Sequence, residues 1–203
     1  MDILIDSVNK LEAILKPSGC DEGGVLLDVK PDAVNCQFDR GACMTATFGG
    51  RSADFVTNDP IRAQTKISFM FGAPLDSPAA RGAACAMINA ATGFFCLSRV
   101  LHACPGSKHA DCMRELSMVM EEKRVFCMGS MPSIENTSRT EIATEAKSAD
   151  LILINAEGIL DTGLGDFLAE FAGKKRILCL GPSTAGVARL QQIEHWCPYG
   201  TSL

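Results

Sequence analysis

The chain of 203 residues lacks several features that would assign it quickly. It has no excess of basic charge: 19 Lys and Arg stand against 24 Asp and Glu, a net charge of −5. That argues against a nucleic-acid or anionic-membrane partner, either of which needs a basic face. The opening MDILIDSVNKLEAILK has neither the basic start nor the unbroken apolar core of a secretory leader. The most apolar stretch, Gly82 to Leu97, is broken by Asn89 and Thr92 and followed by Ser98, Arg99 and His102, which favours a buried helix over a membrane span. Neither G-x-G-x-x-G nor the lysine-bearing phosphate loop occurs, so a dinucleotide or nucleoside triphosphate reading is weak.

Cysteine, by contrast, is plentiful. Ten cysteines without an export signal point to reduced thiols in a cytoplasmic protein rather than a disulfide scaffold. Cys85, Cys127 and Cys179 fall inside apolar runs, where a thiol behaves as a small hydrophobe.

Along the chain, Ile3, Val8, Leu11 and Leu15 mark a first amphipathic helix. Strand-like runs follow at 25–29, 33–38, 43–48, 53–57 and 66–71, with Gly49-Gly50 as a hairpin signal. Asp76-Ser77-Pro78 is a helix start, with a capping side chain before an early proline. The alanine-rich helix after it is small enough to let other elements approach closely, and so is expected to be central. Arg81 and Asn89 are its notable polar members. They either form an ion pair and cap a neighbouring backbone, or project into a cleft and bind an anion. A further helix carries Met113, Leu116 and Met120, and a domain boundary is placed after it, dividing the chain into 1–121 and 122–203.

Between the two helices, HACPGSKHADC gathers His102, Cys104, His109 and Cys112. Imidazole and thiolate are ligands for a transition metal such as zinc. The spacing H-x-C-x4-H-x2-C is unlike the paired spacing of structural zinc sites, and a purely structural reading has Cys112 buried and the histidines at the surface.

From Arg124 the pattern becomes strand, turn, helix. Apolar runs at 124–128, 151–154 and 176–180 lead into the turns GSMP, NAEG and GPST, with a weak helix expected at 140–147, a helix at 164–171 stopped by Gly173, and a last strand near 196–199. Such repeats predict a mostly parallel sheet, with the three turns along one edge. Gly129, Ser130, Asn155, Glu157, Gly181, Ser183 and Thr184 are the candidate ligand-binding residues there, because turns at strand carboxyl ends offer free N–H groups and hydroxyls. Glu157 and Asp161 are the candidate acid/base groups should the protein be an enzyme, although no nucleophile–base pairing is visible.

The runs RVFCMGSMP, ADLILINAEGILDTGLGDFL and KRILCLGPSTAG resemble the C-terminal Rossmann-like part of the heavy-metal chelation domain family. The resemblance spans about residues 66–190. It implies an α/β fold with a Rossmann-like, mostly parallel sheet in the C-terminal half, preceded by a small α+β domain like the N-terminal domain of enolase. It also implies a role near metals or metal cofactors. The HACPGSKHADC segment has no counterpart in that pattern. Three functions are weighed: binding of a small anionic ligand, metal ion or metal chelate in an interdomain cleft; an enzyme acting on a small molecule in the same cleft; and direct metal binding by the His/Cys cluster. Homo-oligomer formation stays open.

Overall fold

A computed structural model describes residues 2–36, 41–135 and 140–202. Helix α1 spans Ile3–Ser18. The Asp2 carboxylate accepts from the free amides of Leu4 (2.9 Å) and Ile5, and Gly19, at φ 70°, ends the helix in the left-handed conformation. Strands β1 (Gly24–Val29), β2 (Met44–Phe48), β3 (Arg51–Phe55) and β4 (Ala63–Lys66) form an antiparallel sheet in the order β3-β2-β1-β4. Helix α2 (Pro78–Phe94) starts at the expected cap, with the Ser77 hydroxyl accepting from the Ala80 amide, and is buried without interruption from Arg81 to Gly93.

After helix α3 (His109–Met120) come β5 (Arg124–Met128), the single turn α4 (Pro132–Glu135), β6 (Glu141–Ile142), β7 (Leu151–Ile154), the single turn α5 (Ala156–Ile159), α6 (Leu164–Phe171), β8 (Arg176–Leu180), α7 (Ala185–Gln191) and β9 (Glu194–Trp196). The five strands make a wholly parallel sheet, ordered β6-β5-β7-β8-β9. The architecture is thus a small α+β N-terminal domain joined to a C-terminal five-stranded parallel, Rossmann-like sheet, as the sequence leads one to expect.

Strand alternation divides the parallel sheet between two cores. Ile152, Ile154, Ile177 and Cys179 pack with α1, α2, α6, α7 and the inner face of the antiparallel sheet (Val25, Leu27, Met44, Ala46, Phe55) in one continuous core. Leu151, Leu153, Leu178 and Leu180 face the other way, against Leu116 and Met120 of α3 and Ile134 of α4. Helix α2 is therefore packed between the antiparallel sheet on one side and α1 and α7 on the other, and the approach of α7 is close: a Cβ on its Gly186 would stand 2.6 Å from Asn89 Oδ1 and 2.9 Å from Thr92 Oγ1.

Several local expectations are corrected. The run 140–147 is no helix: Glu141 and Ile142 pair with Arg124 and Val125 as the edge strand β6, and residues 146–148 make one 3-10 turn. The open edge of β5 supplies hydrogen bonds that a weak helix cannot match, as the Ala143 amide donating to the Val125 carbonyl at 2.8 Å illustrates. The strand placed at 66–71 lies earlier, at Ala63–Lys66. Ile67 and Met70 then bury together on a 3-10 turn. Residues 33–36 form no extended strand, and 37–38 lie outside the described residues. The last strand is Glu194–Trp196 rather than 196–199.

Candidate functional site

In the sheet order, β6 lies on one side of β5 and β7 on the other, so the connection from β5 to β6 runs one way along the sheet and the next, from β6 to β7, crosses back past β5 the other way. The topological switch point of this sheet therefore falls between the carboxyl ends of β5 and β7, where open α/β sheets hold their ligands. The turns GSMP and NAEG meet there. Asn155, fully buried, donates from Nδ2 to the Ser130 carbonyl (2.8 Å) and accepts at Oδ1 from the Gly158 amide (3.0 Å). Glu157 accepts from the Ser130 amide at 2.9 Å. The two turns are drawn so close that neither glycine could carry a side chain. A Cβ on Gly129, whose φ is 91°, would stand 2.0 Å from Asn155 Oδ1, and one on Gly158 would stand 2.2 Å from the Met128 carbonyl oxygen.

Beside this clasp lies a cavity of about 370 Å³ between the two domains. Thr57, Asn58 and Asp59, following β3, form its wall from the first domain, and Glu157, Leu160 and Asp161 its wall from the second. Three carboxylates line it.

The third turn, GPST, is committed to the interior. Ser183 and Thr184 are buried. The Ser183 hydroxyl accepts from the Val56 amide (2.8 Å), a direct tie between the domains, while Thr184 donates back within its own turn to Leu180 or Gly181. Asn89 caps the same turn across the domain junction: Nδ2 donates to the Ser183 carbonyl (2.9 Å), and Oδ1 accepts from the Gly186 amide (2.8 Å). His195 completes it by donating from Nε2 to the Gly181 carbonyl (2.8 Å), and burial holds this imidazole below its ordinary value of 6.5. Gly181, with φ 79°, makes the turn possible.

Arg81 does not join Asn89. Its guanidinium grips Asp2 with two nitrogens (2.5 and 3.1 Å) and donates from Nε to the Leu160 carbonyl (2.6 Å). Burial pulls the Asp2 carboxyl upward, but the Arg81 hydrogen bonds and the helix amides outweigh it and hold the group below 3.8.

Of the His/Cys segment, His102 is turned toward the outer face of the antiparallel sheet. Its Nδ1 stands 3.0 Å from Asp54 and its Nε2 3.4 Å from the Ser52 hydroxyl. Asp54 also accepts from Lys30 (2.7 Å) and Thr45 (2.8 Å). Burial alone would raise its pKa, yet His102, Lys30 and Thr45 together keep it below 3.8. With the Asp54 amide donating to the Leu101 carbonyl at 2.8 Å, this network fastens residues 101–104 over the sheet. His109 lies with Nε2 3.4 Å from the Cys104 carbonyl, and Cys104 and Cys112 are buried. Among the described residues no three His, Cys, Asp or Glu side chains already converge as a metal nest.

No protein-family model matches the sequence, and no protein of curated function matches it. Solved structures do match the backbone. The fold is that of a two-domain α/β protein and is similar to a DUF364-family protein of unknown function from Pyrococcus horikoshii, with a TM-score of 0.51 at 15% identity, covering 89% of this chain and 79% of that one. A second DUF364-family protein of unknown function, from Desulfitobacterium hafniense, gives a TM-score of 0.47 at 14% identity, covering 91% and 82%. At 15% identity the likeness to the Pyrococcus horikoshii protein is one of fold.

Proposed function

We propose that the protein binds a small cationic ligand, a metal ion or a metal chelate, in the cavity at the switch point between its domains. The observation that carries this reading is the lining: Asp59, Glu157 and Asp161 bring three carboxylates to a cavity of about 370 Å³, a size within the range of small-molecule sites. An anion is disfavoured there. Arg81, the counter-charge that an anion would use, is held by Asp2, and the hydroxyls of Ser183 and Thr184 are engaged inside the fold. The cavity joins segments of both domains, so a ligand in it would bridge them and raise the stability of the whole.

A thermal-shift screen with divalent metal ions, corrinoids, polyamines, phosphate and nucleotides tests this. A ligand present at 100 times its Kd adds about 2.7 kcal/mol of stability. The shift is expected from cationic ligands and is expected to vanish in an E157Q/D161N double variant, which keeps the shape of both side chains. Stabilisation by phosphate or nucleotides that survives in the double variant would overturn the reading.

A further inference from the structure

Cys104 and Cys112 are neighbours of two further thiols, brought to them from distant parts of the chain. The C-terminal segment returns across the segment that His102 fastens: the amides of Leu101 and His102 donate to the Thr201 carbonyl (2.8 and 3.0 Å), and the Thr201 amide donates to the His102 carbonyl (3.1 Å). This brings Cys197 to the segment that carries Cys104. Its sulfur is tucked beneath Gly200, where an added Cβ would stand 2.8 Å from Cys197 Sγ and 3.3 Å from the His102 carbonyl oxygen. The same segment is tied to the first turns of α3, because the Tyr199 hydroxyl donates to Glu115 and Lys108 lies over the Tyr199 ring. Cys112 precedes Glu115 by three residues and so shares its side of the helix. From the first domain, Cys36 comes in beside Ala103, the two lining one small cavity next to Pro182 and Ser183.

Every pair among Cys36, Cys104, Cys112 and Cys197 lies close enough to interact electrostatically. None is in a disulfide, and each is buried or half-buried. Thiols gathered so, two buried and two half-buried, suit a thiophilic metal, which replaces their protons.

We propose that Cys36, Cys104, Cys112 and Cys197 form a tetrathiolate site for a thiophilic metal centre, clamping the loop after β1, the segment between α2 and α3, the start of α3 and the C-terminal segment together. As they stand the four sulfurs do not enclose an ion; binding one requires the side chains to turn about χ1 until the sulfurs converge, as tetrahedral zinc sites demand. For a single divalent ion, four S–H bonds break and four metal–sulfur bonds form, leaving a centre of charge −2 and releasing four protons. Affinity therefore rises with pH. The histidines stand outside this set. It is also distinct from the carboxylate cavity, which contains no sulfur ligand.

The test uses the full chain, reduced and metal-stripped under anaerobic conditions. Titration with Co²⁺ is expected to give one equivalent of tetrahedral cobalt with intense near-ultraviolet sulfur-to-metal charge-transfer bands, which carboxylates cannot produce. C36S and C197S are each expected to weaken binding at least tenfold, whereas C96S and H109A leave the bands in place. Differential alkylation of the unaltered chain gives a readout independent of any variant's folding: Zn²⁺ should protect Cys36, Cys104, Cys112 and Cys197 together, while exposed Cys96 stays reactive. Reconstitution with iron and sulfide that protects the same four thiols would support the ligand set with a cluster in place of a single ion. Absence of charge-transfer bands with no thiol protected by zinc, or protection that omits Cys36 and Cys197, would overturn the proposal.

Discussion

Asn89 illustrates what one residue does in this molecule. Its amide is fully buried and satisfies a carbonyl and an amide on another segment, so removing it leaves both groups unpaired in a dry interior. Buried polar groups left unsatisfied cost about 1–3 kcal/mol each. N89A is therefore expected to lower unfolding stability by about 2–4 kcal/mol in urea titrations, the same backbone groups being affected whether or not a ligand is present. The glycines of the switch point make a second residue-scale test. G158A forces a methyl group to 2.2 Å from a backbone carbonyl, whereas G24A meets nothing within 4 Å. The first should cost several kcal/mol and abolish ligand-induced shifts at the clasp. G24A should leave those shifts unchanged.

Among elements, α1 and α2 share a core and are tied further by the ion pair of Asp2 with the buried Arg81. Asp2 both caps α1 and neutralises Arg81, whose side chain is 5% exposed. D2A is expected to cost about 3–5 kcal/mol because it strands a buried charge. D2N keeps a capping oxygen worth about 1 kcal/mol and should fall between the two. Comparing them in chemical denaturation separates the cap from the pair. At this scale the sequence was largely legible where one element's own pattern dominates. The stripe of α1, the Ser77-Pro78 start of α2 and the apolar runs of β5, β7 and β8 all appear as expected. It was misleading where a neighbour decides: residues 141–142 become a strand because β5 offers an unfilled edge, a fact absent from the local pattern.

For the whole molecule, acid stability should show two regimes. Burial lowers the pKa of His195, so the unfolded chain binds its proton first, and stability declines as pH falls through 6.5 toward the lower folded value. Asp2 and Asp54 are depressed below 3.8, so their contribution is present above that value and is lost as pH falls through their lower folded values. H195Q, which can still donate to Gly181, is expected to flatten the first decline and leave the second. Denaturant titrations over a pH series would check this. The acidic step is the larger in its structural reach, since Asp2 ties α1 to α2 and Asp54 holds the segment that carries Cys104.

The candidate site was legible in part for the same reason that the fold was. Glycine-bearing turns after apolar strands mark the carboxyl edge of a parallel sheet without knowledge of any partner, and Asn155 and Glu157 lie in such a turn. What each polar side chain does depends on what stands opposite it. Only the tertiary structure turns Arg81 to Asp2, seals Ser183 against Val56 and directs His102 to Asp54. Only it brings Cys36 and Cys197, some 160 residues apart in the chain, beside Cys104 and Cys112. Local periodicity and turn chemistry are properties of short windows and can be read from the sequence. Charge pairing, the switch point and the meeting of four thiols arise from packing between segments, and so appear only once the chain has folded.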